Sequence, residues 1–236
     1  MTEASLLAYD FRGHGLTQAK NIELSIPQLT LDLENILSTL YPNGYPDIVL
    51  VGHSLGGAVA VNATLNQNIK NILGVVVIDV IEELAVESLQ GMNRFLDSRP
   101  NTFNSIEEAV DWTLEANIIK NKESAIISVP SQLRKEGNGF VWRTDLGASS
   151  PYWNTWFKDL SCRFLSCKCA KLLIIAGQER LDKVLMIAQM QGKFQLEIFA
   201  ESGHMIQEDE PEKTAQVLLS FAKRNGKIVL PPKVPN

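Results

Sequence analysis

The chain has 236 residues, enough for one sizeable core, and its 45% apolar and 21% charged side chains are the proportions of a globular protein. A net charge of −5 argues against a nucleic-acid or anionic-membrane surface, both of which need basic patches. No run reaches the roughly 18 apolar residues that span a bilayer, and the opening residues MTEASLLAYD lack the basic start and apolar stretch of a secretory signal.

In chain order, Leu6–Tyr9 is the first short apolar run, and its continuity predicts a buried parallel strand. After Pro27, residues Leu29, Leu33, Ile36, Leu37 and Leu40 recur at helical spacing. Ile48–Gly52 reads as the next strand, followed by a helix that starts around Gly56 and runs through Val59 and Ala63. Gly74–Val80 is a third strand. From about Ile81 to Ser161 no convincing strand is visible. This mostly helical stretch is too long for an ordinary connection and reads as a cap over a site.

Within that insertion, Ser105 and Glu108 have the spacing of a capping box, opening a helix that buries Ile106, Ala109, Val110 and Leu114. Trp142, Trp153 and Trp156 read either as packing of the cap or as an aromatic wall facing a substrate. The strands Lys171–Ala176 and Phe194–Phe199 come next. A last helix begins near Pro211, presents Ala215, Leu218, Leu219 and Ala222, and ends at Gly226; the proline-rich tail KIVLPPKVPN is expected to fray. Strand–helix alternation predicts an α/β fold with a mostly parallel sheet, in one domain over residues 1–236.

Cys162, Cys167 and Cys169 are odd in number and clustered, a poor disulfide framework, and C-x₄-C-x-C lacks the spacing and fourth ligand of a zinc site. They are expected to be reduced structural thiols in a cytosolic or nuclear compartment.

The chemistry centres on Gly52-His53-Ser54-Leu55-Gly56, a G-x-S-x-G pentapeptide between a strand and a helix. Ser54 on such a strand-to-helix turn is a nucleophile candidate. The flanking glycines are expected to make room where a Cβ would clash, and Gly57 to let the helix approach the sheet. The N–H of Leu55, at the helix start, can donate to an oxyanion. A serine hydroxyl needs a base, and there are three histidines. His53 lies in the turn and points away, His14 precedes the nucleophile in DFRGHG, and His204 follows the last strand. His204 satisfies the order Ser…acid…His and is the expected base. For the acid, position slightly favours Glu179 over Asp79, with Asp182 nearby; Glu179 and Asp182 read equally well as helix N-terminal charge.

The segments DFRGHG, VGHSLGGAVAV, VVVIDVIE, MNRFLDSRPNTF, YWNTWFKDLS, KLLIIAGQERLDK, QMQGKFQ and SGHMIQEDEP resemble the protein phosphatase methylesterase family over nearly the whole chain. The resemblance implies an α/β-hydrolase that removes the methyl ester from the C-terminal leucine of the type 2A protein phosphatase catalytic subunit. It implies Ser54 as nucleophile, His204 as base and Asp79 as acid, with Glu179 as fallback. No metal or organic cofactor is required, and the implied partner is that phosphatase subunit. The stretch between Ser131 and Trp142 is short where animal members carry a long acidic insertion. Family members also carry three strands and a glycine-rich HG loop ahead of the DFRGHG segment. Residues 1–236 alone then form an N-terminally truncated sheet in which Leu6–Tyr9 pairs with Ile48–Gly52 or lies unpaired. The missing loop removes a second oxyanion donor, a loss of about 10²–10³ in turnover. Weak or absent esterase activity and low stability are the expectation.

Overall fold

The computed structural model describes residues 4–177 and 181–226. Glu179 and the proline-rich tail lie outside the described residues. The chain runs from the DFRGHG turn into α1 (Ile26–Leu40), with Pro27 in its first turn and the Ser25 hydroxyl accepting from the Gln28 N–H. Then follow β1 (Ile48–His53), α2 (Leu55–Asn66) and β2 (Ile72–Ile78). The insertion carries α3 (Glu82–Ser98), β3 (Thr102–Phe103), α4 (Ile106–Glu115), α5 (Lys122–Ser128), β4 (Leu133–Glu136), β5 (Gly139–Trp142), α6 (Trp153–Trp156) and α7 (Leu160–Ser166). The chain ends with β6 (Ala170–Ala176), α8 (Lys183–Met190), β7 (Gln195–Phe199), α9 (Ile206–Asp209) and α10 (Pro211–Asn225).

Four strands form a parallel sheet in the order β1-β2-β6-β7. Its central strands are apolar apart from Lys171 near the start of β6, because both faces are covered. Val75, Val77, Leu173 and Ile175 point into a large cluster with Leu29 of α1, Val59 and Ala63 of α2, Phe164 of α7 and Leu185 of α8. Val76, Ile78, Leu172 and Ile174 point the other way, onto Phe199, Ile206 and Phe221. Burial of each such side chain contributes about 1.5–3 kcal/mol, which makes β2 and β6 the rigid centre of the molecule.

The Leu6–Tyr9 segment is not the buried strand its apolar run predicts and takes the other expected course, lying unpaired. It forms no ladder with β1 or any other described strand, and Leu6 is 94% exposed. Its apolar run lacks a neighbouring edge to close its hydrogen bonds, so periodicity alone did not make it a strand. Among the described residues β1 pairs on one side only, and Val51 is 46% exposed. The DFRGHG turn is instead fixed from the side. Arg12 donates two hydrogen bonds to the Asp32 carboxylate of α1, at 2.6 and 2.5 Å.

The insertion is also not strandless. It contains a three-stranded antiparallel sheet in the order β3-β5-β4, closed by the turn at Gly137. Phe103, Ala109, Val110, Ile119, Ala125, Val129 and Leu133 form its own small core. Phe103, Trp112 and Trp142 meet edge-on and tilted at 5.3–6.1 Å between ring centres. Ser105 caps α4 by accepting from the Glu108 N–H, while the Glu108 carboxylate reaches the Asn104 N–H, one residue short of the place a capping box puts it.

The inward face of α10 is rotated from expectation. Thr214 and Phe221 are buried with Val217 and Leu218 beside them, whereas Ala215 and Leu219 are exposed. Phe221 sets this orientation, because its ring sits where a side chain at Gly74 would project, 2.6 Å from the position of a Cβ. No helix among the described residues is long and apolar enough to cross a membrane.

Candidate active site

The turn between β1 and α2 holds Ser54 at φ 50° and ψ −120°, a conformation that L side chains rarely adopt. The Ser54 N–H donates to the Ile78 carbonyl of the neighbouring strand at 2.9 Å, and Gly57 donates to the Ser54 carbonyl at 2.8 Å. The glycines around it are not equivalent. A Cβ on Gly52 would lie 2.0 Å from the Gly56 carbonyl oxygen, so the turn closes only with glycine there. A Cβ on Gly57 would press on Val80 and Val77 at 3.0 and 3.1 Å, consistent with close packing of α2 on the sheet. Gly56, expected to relieve a clash, has open space at its Cβ position.

Asp79 follows β2, is 6% exposed, and also has positive φ, at 52°. Its Oδ1 accepts from the Ala176 N–H at 2.8 Å, and its Oδ2 lies 2.7 Å from His204 Nδ1. A carboxylate can only accept here, so His204 carries its Nδ1 proton toward Asp79 and leaves Nε2 unprotonated in the neutral ring. The loop bearing His204 is tied by Asp209, whose two oxygens accept from the N–H groups of Gly203 and Lys120 at 2.6 and 2.7 Å. Lys120 belongs to the insertion, and its ammonium also donates to the Glu201 carbonyl at 2.8 Å. The insertion therefore anchors the histidine loop.

Ser54, Leu55, Asp79 and His204 all line one cleft of about 730 Å³. Its opposite wall is apolar, with Leu84, Leu89 and Met92 of α3 and the indole of Trp156. Among the described residues Ser54 Oγ has no hydrogen-bond partner, a loose arrangement common in unliganded hydrolases. Leu55 is the first residue of α2, so its N–H has no intrahelical acceptor.

The tryptophans divide between the two expectations. Trp156 lines the cleft, its indole N–H fixed on the Leu24 carbonyl at 2.7 Å. Trp153 donates to Ser149, and Trp142 donates to the Pro100 carbonyl, both away from the cleft. His14 stays in the DFRGHG turn against the Arg12 carbonyl and Phe11. Asp182 caps α8 through the Leu185 N–H and accepts from Ser161, as helix N-terminal charge should. Cys162 is exposed and Cys169 half-buried, while burial pushes the Cys167 thiol up to about 12. Among the described residues, no group of three metal-ligating side chains comes together.

One residue of the site was not anticipated. His53 Nε2 lies 2.8 Å from the His204 carbonyl, and the two rings stack tilted at 4.5 Å. A carbonyl accepts only, so His53 donates. Burial, and then the neighbouring His204, pushes its pKa down to about 4. His53 is thus a neutral donor that holds the backbone of the expected base. The contact spans 151 residues of sequence, and nothing local signals it.

Fold and cleft together define the class: residues 2–217 match the alpha/beta hydrolase family. Solved structures agree on the fold. E-2-(acetamidomethylene)succinate hydrolase superposes with a TM-score of 0.76 at 20% identity, covering 91% of this chain and 80% of that one. An esterase from M. tuberculosis superposes with a TM-score of 0.67 at 22% identity, covering 91% and 75%. Within that class the chain belongs to the protein phosphatase methylesterase 1 family. It is 45% identical over 236 residues to protein phosphatase methylesterase 1 of Schizosaccharomyces pombe, covering 98% of this chain and 69% of the relative. It is 47% identical to that of Yarrowia lipolytica, covering 94% and 54%. The chain thus spans between about half and two thirds of the length of the curated relatives it matches.

Proposed function

We propose that the chain is a serine carboxylesterase in which Ser54 is the nucleophile, His204 the base and Asp79 the acid that orients it. The observation carrying this reading is the 2.7 Å Asp79–His204 contact beside a serine held at positive φ, all facing one cleft. His204 Nε2 takes the Ser54 proton as Oγ attacks the ester carbonyl. Asp79 keeps the proton on Nδ1 and stabilises the imidazolium that forms. The Leu55 N–H donates to the tetrahedral oxyanion. The imidazolium gives its proton to the leaving methanol, and a water deprotonated by His204 then releases the acid. No metal or organic cofactor enters this sequence.

The family and the apolar wall of α3 support a leucine methyl ester as substrate, at the C-terminus of the type 2A protein phosphatase catalytic subunit. The insertion over residues 81–161 acts as the cap of a single-domain enzyme that works in the cytoplasm or nucleus, compartments that keep Cys162, Cys167 and Cys169 reduced. The test is release of methanol from a peptide ending in leucine methyl ester. Turnover, however slow, that vanishes in Ser54→Ala supports the reading, and turnover that survives the substitution sinks it. A second reading is a binder of the phosphatase without turnover. Ser54→Ala then leaves phosphatase binding intact while the unsubstituted chain shows no demethylation.

A further inference from the structure

A second cavity, of about 550 Å³, lies on a different face of α3 from the Ser54 cleft, between that helix and β5. We propose that it is a carboxylate-binding site that seats an acidic side chain of the polypeptide substrate; this rests on the reading of the chain as an esterase acting on a protein.

Three arginines line it, and they differ in how they are satisfied. Arg134 pairs with Glu136 at the mouth. Arg99 and Arg143 have no ion pair and no side-chain hydrogen bond among the described residues, and Arg143 Nε is buried without a partner. The Arg99 guanidinium lies 4.0 Å from the centre of the Trp142 ring, which fixes its plane and covers one face. Burial lowers its pKa from the ordinary guanidinium value. A half-buried guanidinium with unfilled donors carries a desolvation cost that an incoming oxyanion removes. Two such forks facing one cavity match a planar carboxylate in two-point contact.

The neighbouring charges select the class of anion. Asp97, Glu136 and Asp145 also line the cavity and formally cancel the three arginines. A doubly charged phosphate would meet Asp97 and Asp145 with an excess charge that a single carboxylate lacks. The chain as a whole is net negative, so recognition is by contact rather than by long-range attraction. Arg99, Pro100 and Asn101, part of the segment RPNTF, fall here and not in the catalytic cleft, which gives that segment a use the ester chemistry leaves open.

The experiment measures fluorescence anisotropy of the labelled, amidated peptide Gly-Glu-Glu-Glu-Gly, of its glutamine counterpart and of a phosphoserine version, on the full chain at low salt. The glutamate peptide is expected to bind best. Arg99→Gln and Arg143→Gln each weaken it about tenfold, and Asp97→Asn, on an exposed residue, tightens it. Hydrolysis of p-nitrophenyl acetate stays unchanged in all three variants, while a leucine methyl ester peptide with upstream glutamates shows raised KM at constant kcat in the arginine variants. Equal binding of the glutamate and glutamine peptides, indifference to both arginine substitutions, or tighter binding of the phosphoserine peptide overturns the proposal. Should an arginine variant lose its cooperative melt, the Asp97→Asn result decides. Absence of p-nitrophenyl acetate turnover in the unsubstituted chain counts against the esterase reading alone, because the binding result stands without it.

Discussion

The two sheets of this molecule are held by different means. The parallel sheet is mostly aliphatic at its centre and closed there on both faces, with Val75, Val76, Leu172 and Ile174 wholly buried. The antiparallel sheet in the insertion has one buried strand residue in β4, three exposed charged ones, and relies on Phe103, Trp112 and Trp142 for its packing. Strands of two to four residues cannot fix backbone as firmly as strands of five to seven. The difference matches their tasks. The parallel sheet places Ser54 and Asp79 at adjacent strand ends, where sub-ångström placement decides proton transfer. The insertion, which would meet a variable polypeptide in the proposed function, tolerates adjustment.

If the proposed chemistry belongs wholly to the parallel sheet, Ser54→Ala lowers ester turnover by about 10⁴–10⁶ with no change in melting temperature, checked by methanol release and calorimetry. Gly52→Ala breaks the same region structurally. The collision with the Gly56 carbonyl costs about 4 kcal/mol or more in urea unfolding, whereas Gly56→Ala is neutral to slightly stabilising. Phe103→Ala separates the regions from the other side. It removes about 3 kcal/mol, seen as faster hydrogen exchange in α4 and β5 while β2 and β6 stay protected.

His53 tests the seam between the β1–α2 turn and the histidine loop. Its native pKa near 4 lies below the unfolded value of about 6.5, so the unfolded chain binds the extra proton between these limits. Stability therefore falls as pH falls through that window, by about 2 kcal/mol at pH 5 relative to neutral pH. His53→Gln flattens that slope in urea melts at pH 7 and 5, and an unchanged slope assigns the acid sensitivity elsewhere. The smallest effect is Leu219→Ala on the exposed side of α10, within about 0.5 kcal/mol of the parent in the same melts.

The same contrast explains what could be read from sequence. The apolar runs of β2 and β6 were legible because burial on both faces leaves almost no polar position to confuse the period. The strand-to-helix turn at Ser54 was legible because Gly52 and Ser54 answer to local geometry. Leu6–Tyr9 misled because a run of apolar residues states a preference for burial, and only a partner strand makes it a strand. β3, β4 and β5 were invisible because two to four residues, several of them charged, show no alternation. The face of α10 was misjudged because Phe221 follows the gap at Gly74, a long-range fit that helical spacing cannot express. Position alone leaned toward Glu179 as the acid, and the resemblance chose Asp79. The 2.7 Å contact to His204 is what supports that choice here.

Ser54 and Asp79 both hold left-handed backbone, at φ 50° and 52°, although neither is glycine. Each such residue carries a conformational cost of about 1–3 kcal/mol. A population of variants selected for heat resistance alone, with no demand on ester turnover, would therefore drift toward glycine or asparagine at these two positions. A gain in thermal tolerance and a loss of the proposed hydrolytic machinery would arrive through the same two codons.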